Sequence, residues 1–174
     1  MMGLVMALDI ASNTGVAEGF PGDPAPKLFS QKFILEDDVS VTIGYGRAVG
    51  WMARRLQIVE PVAVFAEEAV PAFAFGGQTN NDATMIRLGL YGALTGVARA
   101  KGIPVMPASI ARVRTHILGR SHGFKGDEAK REVFRACQAR GWTPANKDES
   151  DAGAVWLWAC GEVLKGILDA GLPL

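Results

Sequence analysis

Two short apolar runs, each with a carboxylate at or near its end, constrain the fold of this chain most. Residues 4–10 carry Asp9 near their end, and residues 62–67 end in Glu67. Apolar runs of this length, bounded by turn-forming residues, are typical of buried strands. Because ligand sites in open α/β sheets gather beyond the strand ends, we expect the two acids to share one sheet edge if these strands are neighbours.

The remaining segments alternate between strand and helix patterns. Further strands are predicted at residues 14–20, 28–35 and 105–107. Apolar residues at helical spacing predict helices at residues 39–59, 81–101, 109–118, 127–140 and 148–168. Short connections between the first three strands favour an antiparallel meander. The sequence therefore predicts an α/β fold: a mixed sheet of about five strands with helices on both faces.

The composition fits one globular domain over residues 1–174, because a chain that is 49% hydrophobic can bury its own core at this length. Cys137 and Cys160 have no zinc-site or disulfide-framework spacing, so we expect buried thiols. No stretch approaches the roughly 20 apolar residues of a membrane helix. The apolar start lacks the basic region of a signal peptide. We therefore expect a cytoplasmic protein with no membrane partner and no organic cofactor.

Positive charge is concentrated in one segment, although the chain has 18 basic and 18 acidic residues in total. Residues 99–140 hold 10 Lys and Arg against 3 Asp and Glu. Most charge runs are solvated faces, but a basic segment between acidic ones favours phosphate contacts. The candidate phosphate-contacting residues are Arg114, Arg120, Lys125, Lys130 and Arg131.

A second pair of acids, Asp148 and Asp151, opens the last predicted helix. Side chains three residues apart on a helix project to the same face. Four converging carboxylates would raise one another's pKa unless a cation neutralised them, and hard oxygen ligands select Mg²⁺ or Mn²⁺. Two such ions, roughly 3.5–4 Å apart, assist phosphodiester cleavage. The sequence therefore predicts a two-ion Mg²⁺ site, with Mn²⁺ as the alternative, held by Asp9, Glu67, Asp148 and Asp151.

Three motifs carry a resemblance to a known family. They are the Asp9 turn, Leu8-Asp9-Ile10-Ala11-Ser12-Asn13-Thr14-Gly15, the strand end Phe65-Ala66-Glu67, and the helix start Asp148-Glu149-Ser150-Asp151-Ala152. In this order they resemble the RuvC-type Holliday-junction resolvases, a branch of the RNase H-like nucleases, over about residues 4–159. The resemblance implies an RNase H-like fold in which these four acids are the catalytic residues.

The basic segment also resembles that family. Residues 113–119 and 126–130 are similar to its two basic stretches, which implies that Arg114 and Lys130 contact phosphate. An aromatic residue that the family places three positions past the glutamate is replaced by Val70 here. Phe73 or Phe75 is expected to take its role against unstacked bases, with a core position as the alternative.

Departures from the family pattern accompany these matches. Ala11 stands in place of the usual glycine, Arg114 in place of a common lysine, and the loop at residues 120–126 is longer than expected.

The resemblance implies a structure-selective endonuclease that resolves four-way or related branched DNA as a homodimer, using metal-activated water. One alternative is a related nuclease that acts on RNA–DNA hybrids or replication intermediates. The other is a catalytically inert module that binds DNA junctions.

Local alternatives exist for the individual residues. Asp9 is also a normal turn residue. Glu68 replaces Glu67 as the inward acid if the strand shifts by one residue. Asp148 fits an N-cap, and Asp151 fits a first-turn acid.

One further motif is misleading. Residues 119–123 read G-x-S-x-G, the pattern of a hydrolase nucleophile elbow, but a hydrolase triad needs a histidine well after the serine. The only histidines are His116 and His122, which also make a poor metal pair.

Overall fold

The structure is a computed structural model that describes residues 3–68, 81–124 and 127–169. The strands in these ranges are β1 (Val5–Asp9), β2 (Asn13–Gly19), β3 (Lys27–Lys32), β4 (Ala63–Glu67) and β5 (Val105–Ala108). The helices are α1 (Val41–Val59), α2 (Asn81–Ala100), α3 (Ile110–Leu118), α4 (Glu128–Ala139) and α5 (Lys147–Asp169).

The five strands form one mixed sheet in the order β3-β2-β1-β4-β5. β1, β2 and β3 pair antiparallel, because their connections are short enough for a meander. β4 and β5 run parallel to β1, since α1 and α2 supply the crossovers that parallel pairing requires. The predicted mixed sheet and its antiparallel start are confirmed, and β1 is the central strand.

Alternating side chains of β1 separate the core into two layers. Met6 and Leu8 pack with α1 and α2 on one face of the sheet. Val5 and Ala7 pack with α3, α4 and α5 on the other face. Every residue of β1 is buried, as expected for a central strand that is covered on both sides. The prediction of helices on both faces is therefore confirmed.

The α5 layer holds most of the large buried aromatic residues. Trp156 and Trp158 are buried, and the Trp156 indole lies 6.0 Å from that of Trp142 in an edge-to-face arrangement. Cys137 and Cys160 are buried free thiols, as predicted, and burial raises the pKa of each to about 12. Among the described residues, no helix combines the length and the apolar character that crossing a lipid bilayer requires.

A buried ion pair joins β2 to α1. The Glu18 side chain is 4% exposed and the Arg55 side chain 18% exposed. Arg55 Nε donates to Glu18 Oε1 at 2.7 Å, and the second guanidinium nitrogen pairs with Oε2. The same guanidinium lies 5.1 Å from the centre of the Phe29 ring. Removing one member of such a pair leaves an uncompensated buried charge.

We expect Arg55→Met to lower the free energy of unfolding by about 3 kcal/mol, because Glu18 then loses its counter-ion. Urea denaturation of the two proteins measures the difference. The control is Lys165→Met, which removes one member of an exposed pair with Glu162 and should cost less than about 1 kcal/mol. Equal losses in the two variants would contradict a structural role for the Glu18–Arg55 pair.

Candidate metal centre

Two parallel strand ends bring Asp9 and Glu67 together. β1 and β4 pair with Leu8 opposite Ala66, so the next residues, Asp9 and Glu67, end neighbouring strands at one sheet edge. Because side chains alternate along a strand, both acids project toward the α5 layer. Both line the same cavity, whereas Glu68 is exposed. The structure thus places Glu67, rather than Glu68, beside Asp9.

The third acid of the cavity comes from α5. Asp151 faces Asp9 and Glu67 across a cavity of about 250 Å³. Asp148 lies at its margin, where Asn13 Nδ2 donates to Asp148 Oδ2 at 2.7 Å. The cavity is lined by Asp9, Ile10, Ala11, Glu67, Arg87, Ile110, Val113, Arg114, Lys130, Val133, Asp151 and Ala154.

A capping network fixes the start of α5. Asn146 Oδ1 accepts a hydrogen bond from the backbone N–H of Glu149 at 3.0 Å, so Asn146, and not Asp148, caps the helix. The buried Glu149 carboxylate accepts from the backbone N–H of Ala145 at 2.7 Å and from Ser30 Oγ of β3 at 3.1 Å. These bonds tie the first turn of α5 to the edge strand of the sheet. Asp148 is therefore free of capping and faces the metal-centre side.

Gly15 permits a close approach between β2 and α5. It pairs with Asp9 across the β1–β2 ladder. A Cβ atom at this position would lie 1.9 Å from the main-chain oxygen of Asp148. Only glycine therefore allows the first turn of α5 to sit at this distance from the strand.

Asp9 occupies a buried and electrostatically unfavourable position. It is 5% exposed, and its Oδ2 atom is buried without a hydrogen-bond partner among the described residues. Burial raises the pKa of Asp9 well above its ordinary value, and the charges of Glu67 and Asp151 raise it further. Burial also raises the pKa of Asp151 to about 6, although the ammonium of Lys130 acts in the opposite direction. A cation in the cavity would relieve this repulsion.

Basic side chains neutralise part of this negative charge. Lys130 Nζ lies 3.3 Å from Asp151 Oδ2 and 3.9 Å from Asp148 Oδ1. Burial alone would lower the pKa of Lys130, but the neighbouring negative charges, Asp151 first, outweigh it and the pKa is raised. A guanidinium nitrogen of Arg87 is paired with Glu67 Oε1.

The donor set of the cavity suits a divalent cation. Carboxylate oxygens are the ligands that Mg²⁺ prefers, and Asp9 offers one that has no hydrogen-bond partner in the part of the chain that the structure describes. In the described ranges, no three acidic side chains lie close enough together to hold a metal ion in this arrangement. Glu67 and Asp151 are paired with Arg87 and Lys130 instead. The residues fit the ion chemically, and an ion bound there would compete with Arg87 and Lys130 for these two acids.

The predicted phosphate-binding residues fall into three groups. Arg114 and Lys130 line the cavity beside the acids. Arg120 and Arg131 are exposed and lie outside it: Arg120 stacks 4.6 Å from the centre of the Phe124 ring, and Arg131 lines a separate groove on the outer side of α4. Phe73, Phe75 and Lys125 lie outside the described residues.

Two polar contacts of the site were not anticipated from the sequence. Arg87 is the only Lys or Arg between residues 69 and 98, and this isolated base on a predicted helix was a usable signal. Asn13 lies within the motif that follows Asp9, but nothing in the motif shows that its amide reaches Asp148.

Comparison with solved structures identifies the fold. Thermus thermophilus RuvC in complex with a Holliday junction substrate matches with a TM-score of 0.72 and 20% identity, covering 95% of this chain and 97% of that one. A second T. thermophilus RuvC structure matches with a TM-score of 0.71 and 20% identity, covering 94% of this chain and 96% of that one. The yeast mitochondrial Holliday junction resolvase matches with a TM-score of 0.52 and 12% identity, covering 95% and 83%.

In sequence, no protein-family model and no curated protein matches the chain. The structural likeness extends over almost the whole chain. The predicted resemblance to RuvC is therefore confirmed at the level of the fold, which is RNase H-like.

We expect Gly15→Ala to lower the free energy of unfolding by about 1–3 kcal/mol, because the added methyl group overlaps the main chain at Asp148. Thermal and urea unfolding measure the loss. Gly46→Ala is the matched control, since Gly46 lies in α1 with open space around it. Replacing a helical glycine by alanine there should stabilise the protein by up to about 1 kcal/mol. A neutral Gly15→Ala variant would show that the first turn of α5 does not depend on this contact.

Proposed function

We propose that this protein is a metal-dependent endonuclease that resolves Holliday junctions or related branched DNA. The observation that carries the proposal is the buried Asp9 carboxylate, one oxygen of which has no hydrogen-bond partner among the described residues. It shares one cavity with Glu67, Asp151 and basic residues. This arrangement occurs on the fold of RuvC, one structure of which is described in complex with a Holliday junction substrate.

The position of each acid determines how it would contact the metal ions. Asp9, Glu67 and Asp151 would hold Mg²⁺, or Mn²⁺, from the cavity walls, and Asp148 would contribute from the margin. Ions bound there lower the pKa of a water molecule and stabilise the leaving oxygen. The described lining contains no Ser, Thr, Cys or His, and its three carboxylates are assigned to the metal ions in this proposal. Direct attack by water is the route that this chemistry favours.

Basic residues around the acids supply the binding of DNA. Arg114 and Lys130 lie on the cavity wall, where they can contact the phosphates next to the scissile bond. Arg120 and Arg131 are exposed beyond the cavity and suit contacts with more distant phosphates. Such contacts fix the position of DNA without reading its sequence. Selectivity for branched DNA then depends on the shape of the substrate.

A homodimer fits the two-fold symmetry of a four-way junction, because two symmetric cuts require two active sites. α2 offers a surface for such pairing. Met85 is 66% exposed and Leu88 is 38% exposed, and the exposed Gly92 and Gly96 continue the same helical stripe. An uncharged stripe of this kind is typical of a protein–protein contact.

The activity is tested with a four-way junction, a plain duplex and an RNA–DNA hybrid, each with Mg²⁺ or EDTA. We expect the wild type to cut the junction only with metal. Asp9→Asn and Asp151→Asn should retain binding and lose more activity than the roughly 10–100-fold that removing a hydrogen-bond partner of a metal ligand costs. Asp127→Asn, at an exposed acid outside the cavity, is the matched control and should remain active.

The other outcomes of this experiment identify the alternatives. Equal cutting of the RNA–DNA hybrid would identify a ribonuclease-type specificity. Junction binding by the wild type without cutting in Mg²⁺ or Mn²⁺ would identify an inert binding module. Cutting in EDTA would overturn the metal site itself.

We expect Leu88→Glu to convert a dimer into a monomer, because it places a charge in the centre of the α2 stripe. Sedimentation velocity of the full chain at micromolar concentration measures the change in mass. Val39→Glu changes an apolar surface position outside α2, which is 93% exposed, and should leave the dimer intact. A wild type that sediments as a monomer on junction DNA would reject the dimer.

A further inference from the structure

Arg87 is a cavity cation to which the proposed chemistry gives no role. It belongs to α2, which packs on the face of the sheet opposite to α5. Its side chain nevertheless reaches the cavity and pairs with Glu67. Arg114 and Lys130 enter the same cavity from α3 and α4 on the other side of the sheet. A phosphate in the cavity would therefore have basic groups on two sides.

Counted by formal charge, the described lining is balanced without any bound ion. It contains three acids, Asp9, Glu67 and Asp151, and three bases, Arg87, Arg114 and Lys130. A divalent cation added to this set leaves an excess of positive charge. A guanidinium and a divalent ion that share one carboxylate also repel each other, most strongly where burial reduces solvent screening. Metal binding at Glu67 therefore favours release of Arg87.

A released Arg87 matches one ligand well. The guanidinium is planar, remains charged at all working pH values, and offers paired N–H donors that fit phosphate oxygens. Arg87 lines the same cavity as the acids and the other two bases, so its released donors would be available to a phosphodiester bound there.

We propose that Arg87 is a substrate-binding residue whose guanidinium is held by Glu67 until metal binds. In the metal-free protein it neutralises Glu67, and once a metal ion takes that carboxylate it binds a phosphate of the DNA strand at the cavity. This inference rests on the proposed function, and it makes metal loading and DNA binding mutually reinforcing, because two ligands that favour the same arrangement tighten each other's binding.

The test is a double-mutant cycle without metal. Junction affinity is measured in EDTA by fluorescence anisotropy for the wild type, Glu67→Gln, Arg87→Gln and the double variant. Glu67→Gln should tighten binding about tenfold, because it frees Arg87 for a charged hydrogen bond to phosphate. Glu68→Gln is the matched control, since it removes the same charge from the adjacent exposed residue and should change affinity far less.

The double variant decides the cause of the gain. If Arg87 causes the gain in junction affinity, adding Arg87→Gln to Glu67→Gln should remove that gain. Adding Arg87→Lys instead should keep part of the gain. Equal gains from Glu67→Gln and Glu68→Gln, or a gain that survives loss of Arg87, would overturn the proposal. Thermal unfolding of each variant confirms that the affinities describe folded protein.

A second measurement distinguishes two roles of Arg87: binding DNA once metal has released it, or orienting Glu67 for the metal. Mn²⁺ binding to the DNA-free protein, followed by electron paramagnetic resonance, should be about tenfold tighter in Arg87→Gln than in the wild type, because the ion no longer displaces a charged hydrogen bond. Weaker Mn²⁺ binding would show that Arg87 orients Glu67 for the metal. If the wild type cuts junctions with metal but the EDTA cycle shows no coupling, the Arg87 inference fails while the nuclease function stands.

Discussion

The burial of Asp9 is the constraint on which the rest of the structure depends. Asp9 ends the central strand of the sheet, where helices cover both faces, so its carboxylate has little access to water. A buried charge is costly unless cations or hydrogen bonds compensate it, and one oxygen of Asp9 has no hydrogen-bond partner among the described residues. The acids and bases from β4, α2, α3, α4 and α5 that surround this point are best understood as the environment of that one carboxylate. A fold stable enough to bear this local cost can keep a strong cation-attracting group ready for use.

Much of this arrangement follows from periodicity in the sequence. The apolar runs that end in Asp9 and Glu67 predict two buried strands, and parallel pairing of these strands brings the two acids to one edge. The strand period of two then decides between Glu67 and Glu68, because only one of two adjacent residues faces inward. The helical period brings Asp151 to the cavity in the same way, although Asp148, one turn earlier, stays at its margin. Fold class and the positions of the acids were therefore accessible from local patterns and a family resemblance.

Other features depend on contacts that no local pattern encodes. Lys130 and Arg131 are adjacent on α4, and successive helical residues point about 100° apart, so a basic segment cannot by itself show which of its members reaches the cavity. The bond between Ser30 and Glu149 joins residues 119 positions apart, and its existence depends on how α5 lies against the edge strand. Arg87 reaches the acids from the far layer of the sheet, which becomes visible only once the layers are known. In each case the missing information is tertiary packing.

The contact between Gly15 and the first turn of α5 bears on how such a protein can change over evolutionary time. The helix is seated against the strand by main-chain atoms, since the group nearest to Gly15 is the carbonyl oxygen of Asp148. A contact made by main-chain atoms restricts one position to glycine and leaves the surrounding side chains free to be exchanged. Substitutions elsewhere can then accumulate while the helix that carries two of the acids keeps its place.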